Sequence, residues 1–345
     1  MLWMTAPRSS RRKRRRTAEK FPDTSLLQLD AAAAGVDART RKLARIYHVA
    51  QRQAWDGPAV LAELVDKHGG VHLAEEAREA LARVFSIILW GELAAWTVSA
   101  ELAERIEDVD AKMAATSQVF DEARHFAVMR DYLRLLGCPV PPLDAYSRVI
   151  LRELLATQSL VYKLVGMQLL VENAALGLFK MVSRARVEPV LSDLLPYFEK
   201  DEARHVGLGI NYLPKLLADL GPMETLALNL FQARIYTLLF WDTLLLRHDL
   251  ELLGLDPNES TRFSLRLQLD IATQMGKFAA DARERKAARG VYVEPELIRR
   301  THSFSIDAFM PRPGAAVPPW QRGLLRAVHG VARAGARVYD ALSPP

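Results

Sequence analysis

Apolar residues recur along most of this chain at three- and four-residue intervals, the spacing that gathers side chains on one side of a helix. From about residue 38 to 67 the pattern runs through Leu43, Ile46, Tyr47, Ala50 and Trp55. Gly57-Pro58 interrupts it and Gly69-Gly70 closes it. A long helix is predicted over about 74–106, and the acidic cluster at 107–110 supplies turn and N-cap chemistry for the next. That next helix ends at Gly137, before the breaker run Cys138-Pro139-Val140-Pro141-Pro142. Further helices are expected over about 146–183, from Pro189 to about 220, over 223–253 and 258–288, and a shorter one over 295–309. Clusters of Val, Ile and Thr alternating with polar residues are nearly absent. The expected fold class is all-α, a helical bundle with additional C-terminal helices.

The pattern weakens at both ends. Residues 1–25 read as a disordered tail, because they hold Arg8, Arg11, Arg12, Lys13, Arg14, Arg15 and Arg16 with little to bury. Residues 26–310 form the expected main domain, and Pro311-Arg312-Pro313 reads as a linker within 311–345. Beyond it, Trp320, Leu324, Val328, Val331, Val338 and Leu342 fall on one helical stripe, with Arg322, Arg326, Arg333 and Arg337 around them. A basic amphipathic helix of this kind suits peripheral contact with a membrane surface, docking onto its own body, or a second subunit in a homodimer.

Composition narrows the function classes. Half the residues are hydrophobic and a quarter charged, enough for a substantial core. The net charge of +5 resides in the N-terminal run, which alone carries seven positive charges, so the body is close to neutral. A basic face for nucleic acid is therefore not expected on the body. Cys138 is the only cysteine, which excludes an intramolecular disulfide and any thiolate metal cluster held by this chain alone. The greasiest helices carry internal Glu or Lys, no membrane span is expected, and no secretory apolar core follows the basic run. The expected compartment is a reducing cytoplasm.

The pentapeptide Asp-Glu-Ala-Arg-His occurs twice, at 121–125 and 201–205, 80 residues apart. The same offset relates Glu92-Leu93-Ala94-Ala95 to Glu172-Asn173-Ala174-Ala175, and Tyr132-Leu133 to Tyr212-Leu213. One offset aligning three patches indicates an internal repeat of a helix pair. Each half holds a lone Glu, a gap of thirty residues, and Glu-x-x-His. Residues three apart share a helix face, so Glu122 stands beside His125 and Glu202 beside His205. The midpoint of Glu92 and Glu122 is Glu107, in the acidic turn; that of Glu172 and Glu202 is Val187, just before Pro189. Each helix pair thus reverses halfway, and both acids return to one height.

Four carboxylates and two imidazoles brought together in this way are a ligand set for two divalent ions. A single Glu-x-x-His arises by chance in about one of two chains of this composition, but two copies with matching upstream acids do not. Glu92 and Glu172 also lie in strongly apolar surroundings, Ile87 to Trp96 and Leu169 to Leu176, where an unpaired carboxylate is costly. Oxygen and nitrogen donors without thiolate suit iron or manganese. Asp121 and Asp201 are candidates to accept the second N–H of each histidine, and an Asp of one motif paired with Arg124 or Arg204 of the other would tie the halves together.

The doubled motif resembles that of bacterial multicomponent monooxygenase hydroxylases. It is also similar to acyl-carrier-protein desaturases and, more loosely, to ribonucleotide reductase small subunits within the ferritin-like di-iron carboxylate superfamily. The resemblance covers about residues 75–220. It implies a ferritin-like bundle with Glu92, Glu122, His125, Glu172, Glu202 and His205 around two iron ions, or a manganese–iron pair, activating dioxygen. The chain departs at Leu176 and Ala175, where those families place a threonine, and at Met129, where radical-generating subunits carry tyrosine. Tyr132 and Tyr212 lie two turns past their histidines and are secondary redox candidates, with packing the blander role.

The function expected on these grounds is a di-iron oxygenase or oxidase that hydroxylates, desaturates or N-oxygenates an apolar or aromatic small molecule. An external electron donor, a ferredoxin or a reductase, is required, since no flavin or nicotinamide motif is present. Phe85, Ile88, Trp96, Gln168, Leu176 and Phe179 are the expected cavity lining. The alternative is a ferroxidase or iron-handling module. A weaker third reading has the substrate arriving on a partner protein, with the basic tails as docking arms.

Overall fold

The structure, a computed structural model, describes residues 38–279, 281–291 and 317–342. The basic N-terminal tail, the helix expected over 295–309 and the linker at 311–313 lie outside the described residues. Among the described residues every regular element is helical: α1 (Ala38–Arg52), α2 (Gly57–His68), α3 (Glu75–Arg105), α4 (Val109–Leu135), α5 (Ala145–Ala156) and α6 (Leu160–Ala185). There follow α7 (Pro189–Ala218), α8 (Pro222–Leu245), α9 (Arg247–Leu252), α10 (Pro257–Phe278), α11 (Ala282–Val291) and α12 (Pro319–Leu342).

Helices α3, α4, α6 and α7 form the bundle core. The chain reverses at 106–108 and again at 186–188, so the 80-residue repeat extends through the turns. Asp108 caps α4 by accepting from the Ala111 amide, and Glu188 caps α7 by accepting from the Leu191 amide. Arg186 takes a left-handed conformation, φ 54°, to end α6.

Three expected helices are broken. The stretch over 146–183 divides at residues 157–159, where Thr157 is extended and the Ser159 hydroxyl caps α6 on the Tyr162 amide. Short hydroxyl side chains offer the backbone this alternative to a continuing helix. The stretch over 223–253 breaks between α8 and α9, and that over 258–288 breaks where Asp281 accepts from the Glu284 amide and starts α11.

The core arrangement explains what positions the site. Buried apolar residues fall into two large clusters. Leu81 to Leu89 of α3, Val128 to Leu136 of α4, Phe179 and Val182 of α6 and Val190 to Phe198 of α7 belong to one. The opposite ends of the same four helices, with α5, α8 and parts of α10 and α11, belong to the other. Between the clusters, at one height in all four helices, lies a buried polar layer. Helices α3 and α6 are apolar and long enough to pass for membrane spans, but each carries a buried Glu and more than half of its apolar stretch is covered by the bundle.

Helix α12 docks onto α5 and α8, using a face offset from the stripe singled out above. Leu325 and Ala332 are buried, and Tyr146 donates its hydroxyl to the Ala332 carbonyl at 2.6 Å. Of the stripe only Val328 packs against the body; Trp320, Leu324, Val331, Val338 and Leu342 are exposed.

Candidate metal centre

Glu92 of α3, Glu122 and His125 of α4, Glu172 of α6, and Glu202 and His205 of α7 meet in the polar layer, all buried. They form two overlapping groups. Glu92, Glu122, His125 and Glu202 offer ligand atoms within 4.8 Å of one another, and so do Glu122, Glu172, Glu202 and His205. Glu122 and Glu202 belong to both. Two ions set in these groups would each receive one private Glu and one His, with two carboxylates between them.

Atoms without partners point the same way. His125 Nδ1 lies 3.2 Å from Glu202 Oε1 and 3.3 Å from Glu92 Oε2, and His205 Nδ1 lies 3.1 Å from Glu122 Oε1. His125 Nδ1, Glu122 Oε2 and Glu172 Oε2 nonetheless make no hydrogen bond. Buried polar atoms are rarely left so, and three spread over the two groups fit a pair of cations better than they fit each other. Four carboxylates would balance two divalent ions with neutral imidazoles.

The electrostatics of the cluster carry the same imbalance. Burial, then the Glu122 and Glu202 carboxylates, push Glu172 well above the ordinary carboxylate range. Burial likewise pushes Glu92 well up, against the opposing pull of His125. Glu122 is held below that range despite burial, by His205 and His125. Both imidazoles are raised well above their usual value although burial opposes it, His125 chiefly by Glu92 and His205 by Glu122 and Glu202.

The flanking residues cross between the halves. His125 Nε2 lies 3.0 Å from Asp201 Oδ2, and His205 Nε2 lies 3.3 Å from Asp121 Oδ2, so each imidazole faces the aspartate of the other motif. Arg124 donates to Asp121 at 2.5 Å and Asp201 at 2.8 Å; Arg204 donates to Asp121 at 3.0 Å and also to Asp201. These contacts occupy Nε2 and leave each Nδ1 turned toward the glutamates.

Local structure sets Glu172 apart from Glu92. Leu164–Val171, directly before it, is a π-helical segment, and the Glu172 amide bonds the Met167 carbonyl. The wider turn is held by close approach on two sides. A Cβ on Gly166 would lie 2.1 Å from Leu154 Cδ2, and one on Gly209 2.9 Å from Leu169 Cδ2. Glycine at both positions lets neighbouring helices reach the π segment.

Three residues of the site carry no mark in the repeat. Gln118, one turn before Glu122, donates to Glu172 at 2.7 Å and to Glu122 at 3.2 Å. Eighty residues on stands Phe198, which stacks on His125 at 4.4 Å, so the two halves differ at this point. Trp55, between α1 and α2, donates its indole N–H to Asp201 at 2.8 Å and lies under the Arg124 guanidinium. Gln118 was within reach of helix periodicity, at i−4 from a ligand. Trp55, arriving from outside the repeat, was not.

Tyr132 and Tyr212 lie about 10 Å along their helices from His125 and His205. The Tyr132 hydroxyl donates to Glu188 at 3.0 Å, the carboxylate that caps α7, so this phenol fastens a helix end. Burial, then Asp108 and Glu107, push the Tyr212 hydroxyl up.

A cavity of about 210 Å³ opens beside the cluster, with Glu92, Glu122, Glu172 and Glu202 in its wall. Of the lining expected from sequence, only Ile88 is there. Phe85 and Phe179 are packed in an apolar cluster, Gln168 and Leu176 are buried elsewhere, and Trp96 lies half-exposed against Phe126. Apart from Trp96, proximity in sequence to a ligand selected helix faces turned into the bundle. The cavity opens on the adjacent faces, with Met167, Leu170, Ala174 and Ala175 of α6 and with residues of α8 and α10.

No family model matches the chain, and no curated protein matches it. Among solved structures the chain is similar to an R2-like ligand-binding oxidase with aerobically reconstituted Mn/Fe cofactor. Identity is 17%, the match covers 77% of this chain and 90% of that one, and the TM-score is 0.43. A point variant of that oxidase with Fe/Fe cofactor gives the same values, and another with Mn/Fe cofactor gives 15% identity over 72% and 93% of the two chains, with a TM-score of 0.44.

Proposed function

We propose that the chain is a dinuclear-metal oxidase or oxygenase acting on an apolar small molecule. The observation that carries the reading is the pair of overlapping four-residue groups that share Glu122 and Glu202. In this reading Glu92 and His125 would hold one ion, Glu172 and His205 the other, with Glu122 and Glu202 available to both. Iron at both positions, or manganese with iron, suits six oxygen and nitrogen donors without thiolate. Bound, such a pair supplies dioxygen binding and its stepwise reduction.

The protein's own groups then do the rest. Asp121 and Asp201 hold the imidazoles by Nε2, and Arg124 and Arg204 hold the aspartates, so Nδ1 stays turned toward the glutamates, where it would meet a metal ion. Gln118 steadies the Glu172 and Glu122 carboxylates. The two apolar clusters exclude water from the layer between them, and the cavity brings a hydrocarbon surface against the carboxylates of one side. Reducing equivalents come from an outside donor. The exposed stripe of α12 is left for a second subunit or a membrane surface.

The test is anaerobic loading with ferrous ion followed by oxygen exposure, monitored by optical and Mössbauer spectra and by metal analysis. Two ions per chain are expected in the native protein, with loss in Glu122→Ala and in His205→Ala. Two ions retained in both variants would sink the assignment. Product screening by mass spectrometry separates oxidation of an organic molecule from a ferroxidase, which would consume ferrous ion and grow mineral without organic product. The apolar cavity favours the first.

A further inference from the structure

The cavity wall carries a second polar station. Asp242 of α8 lines it, is 7% exposed, and has no hydrogen-bond partner for its Oδ1. It stands against Asp144 and Ser147 at the start of α5. Asp144 uses Oδ1 on the amides of Tyr146 and Ser147, and its Oδ2 also lacks a partner. Among the described residues no Lys or Arg pairs with either aspartate. Burial, then the Asp144 charge, push Asp242 well up, which favours its protonated form.

A second unmatched acceptor lies in the same wall. Gln268 of α10 spends its amide N–H on the Leu169 carbonyl, and its Oε1 has no partner. Ile150, Leu151, Leu239, Phe240 and Leu265 line the same cavity. Among the wall residues outside the metal-ligand cluster the unmatched side-chain atoms are thus acceptors, in a chamber lined mainly by apolar side chains with the hydroxyl groups of Ser147, Tyr236, Thr243 and Thr261. A ligand that completes it brings N–H donors, a positive charge and an apolar body.

We propose that Asp242 anchors the ammonium group of an apolar amine in this cavity, with the hydrocarbon lying along the apolar wall toward Glu92 and Glu172. This rests on the metal-centre reading for what happens to the hydrocarbon, but not for the binding itself. On binding, the ammonium donates to the Asp242 carboxylate and the proton held by Asp242 leaves to solvent. An alcohol brings one donor and no charge, so it leaves that proton in place.

Isothermal titration of the metal-loaded full-length protein with octylamine, octanol and octanoate tests the assignment. Octylamine is expected to bind about tenfold or more tightly than octanol. Asp242→Asn, which keeps the size and a donor for Asp144, is expected to remove that margin and leave octanol binding as it was. Octylamine titrated in buffers of different ionisation enthalpy is expected to release about one proton per site, a measurement that needs no variant. Equal affinity for amine and alcohol, a margin that survives Asp242→Asn, octanoate as the tightest ligand, or no proton release would each overturn the anchor. Metal analysis on the same preparation separates the two readings: an amine margin without bound metal supports the anchor alone, and bound metal without a margin overturns it alone.

Discussion

Asp201 accepts from Trp55, Arg124 and Arg204 and faces His125, so four side chains converge on one carboxylate. Trp55→Phe removes one of those donors while three contacts remain. It is expected to destabilise the protein by about 1–2 kcal/mol, read as a lower urea midpoint at unchanged slope. Asp242 makes a prediction of opposite sign. Its carboxyl is raised in the folded protein, so above the ordinary aspartate value the unfolded chain releases a proton that the fold retains, and stability falls as pH rises toward the raised value. Asp242→Asn lacks this loss and is expected to gain on the native protein across that window, checked by denaturation at several pH values. The six clustered residues could be found in the chain because each has a counterpart 80 residues away. Gln118, Trp55 and Asp242 have none, and act through contacts between helices that no spacing along one helix encodes.

Helix α6 shows what periodicity conveys about an element and what it conceals. Its existence, and its reversal into α7 near Val187, followed from equal gaps between acids and from Pro189. Its late start at Leu160 and its π segment did not follow, because the first depends on a Ser159 cap and the second on how Leu154 and Leu169 pack against glycine. Gly166→Ala places a methyl group on Leu154 and is expected to cost about 1–3 kcal/mol in thermal denaturation. Leu154→Ala in the same chain restores part of that loss if the clash is its cause. The cavity lining was missed for a related reason. A helix has several faces, and only the packing of α8 and α10 decides which face of α6 borders empty space.

At the scale of the molecule, the two helix pairs are joined through buried Asp–Arg contacts that cross between them. Removing one partner strands a charge, so Arg124→Ala and Arg204→Ala are each expected to cost about 3–5 kcal/mol. The double variant is expected to cost less than the two together, since both touch one network. Binding of metal to the folded cluster is expected to raise the melting temperature, and a chelator to lower it, in a calorimeter. The crossing also carries a symmetry. His125 meets Asp201 as His205 meets Asp121, which are the bonds two identical hairpins would exchange across a two-fold axis. The centre is therefore arranged like a two-fold interface enclosed within one polypeptide. A single chain need not keep that symmetry exact, and Gln118 opposite Phe198 marks a place where two positions 80 residues apart hold different chemical environments.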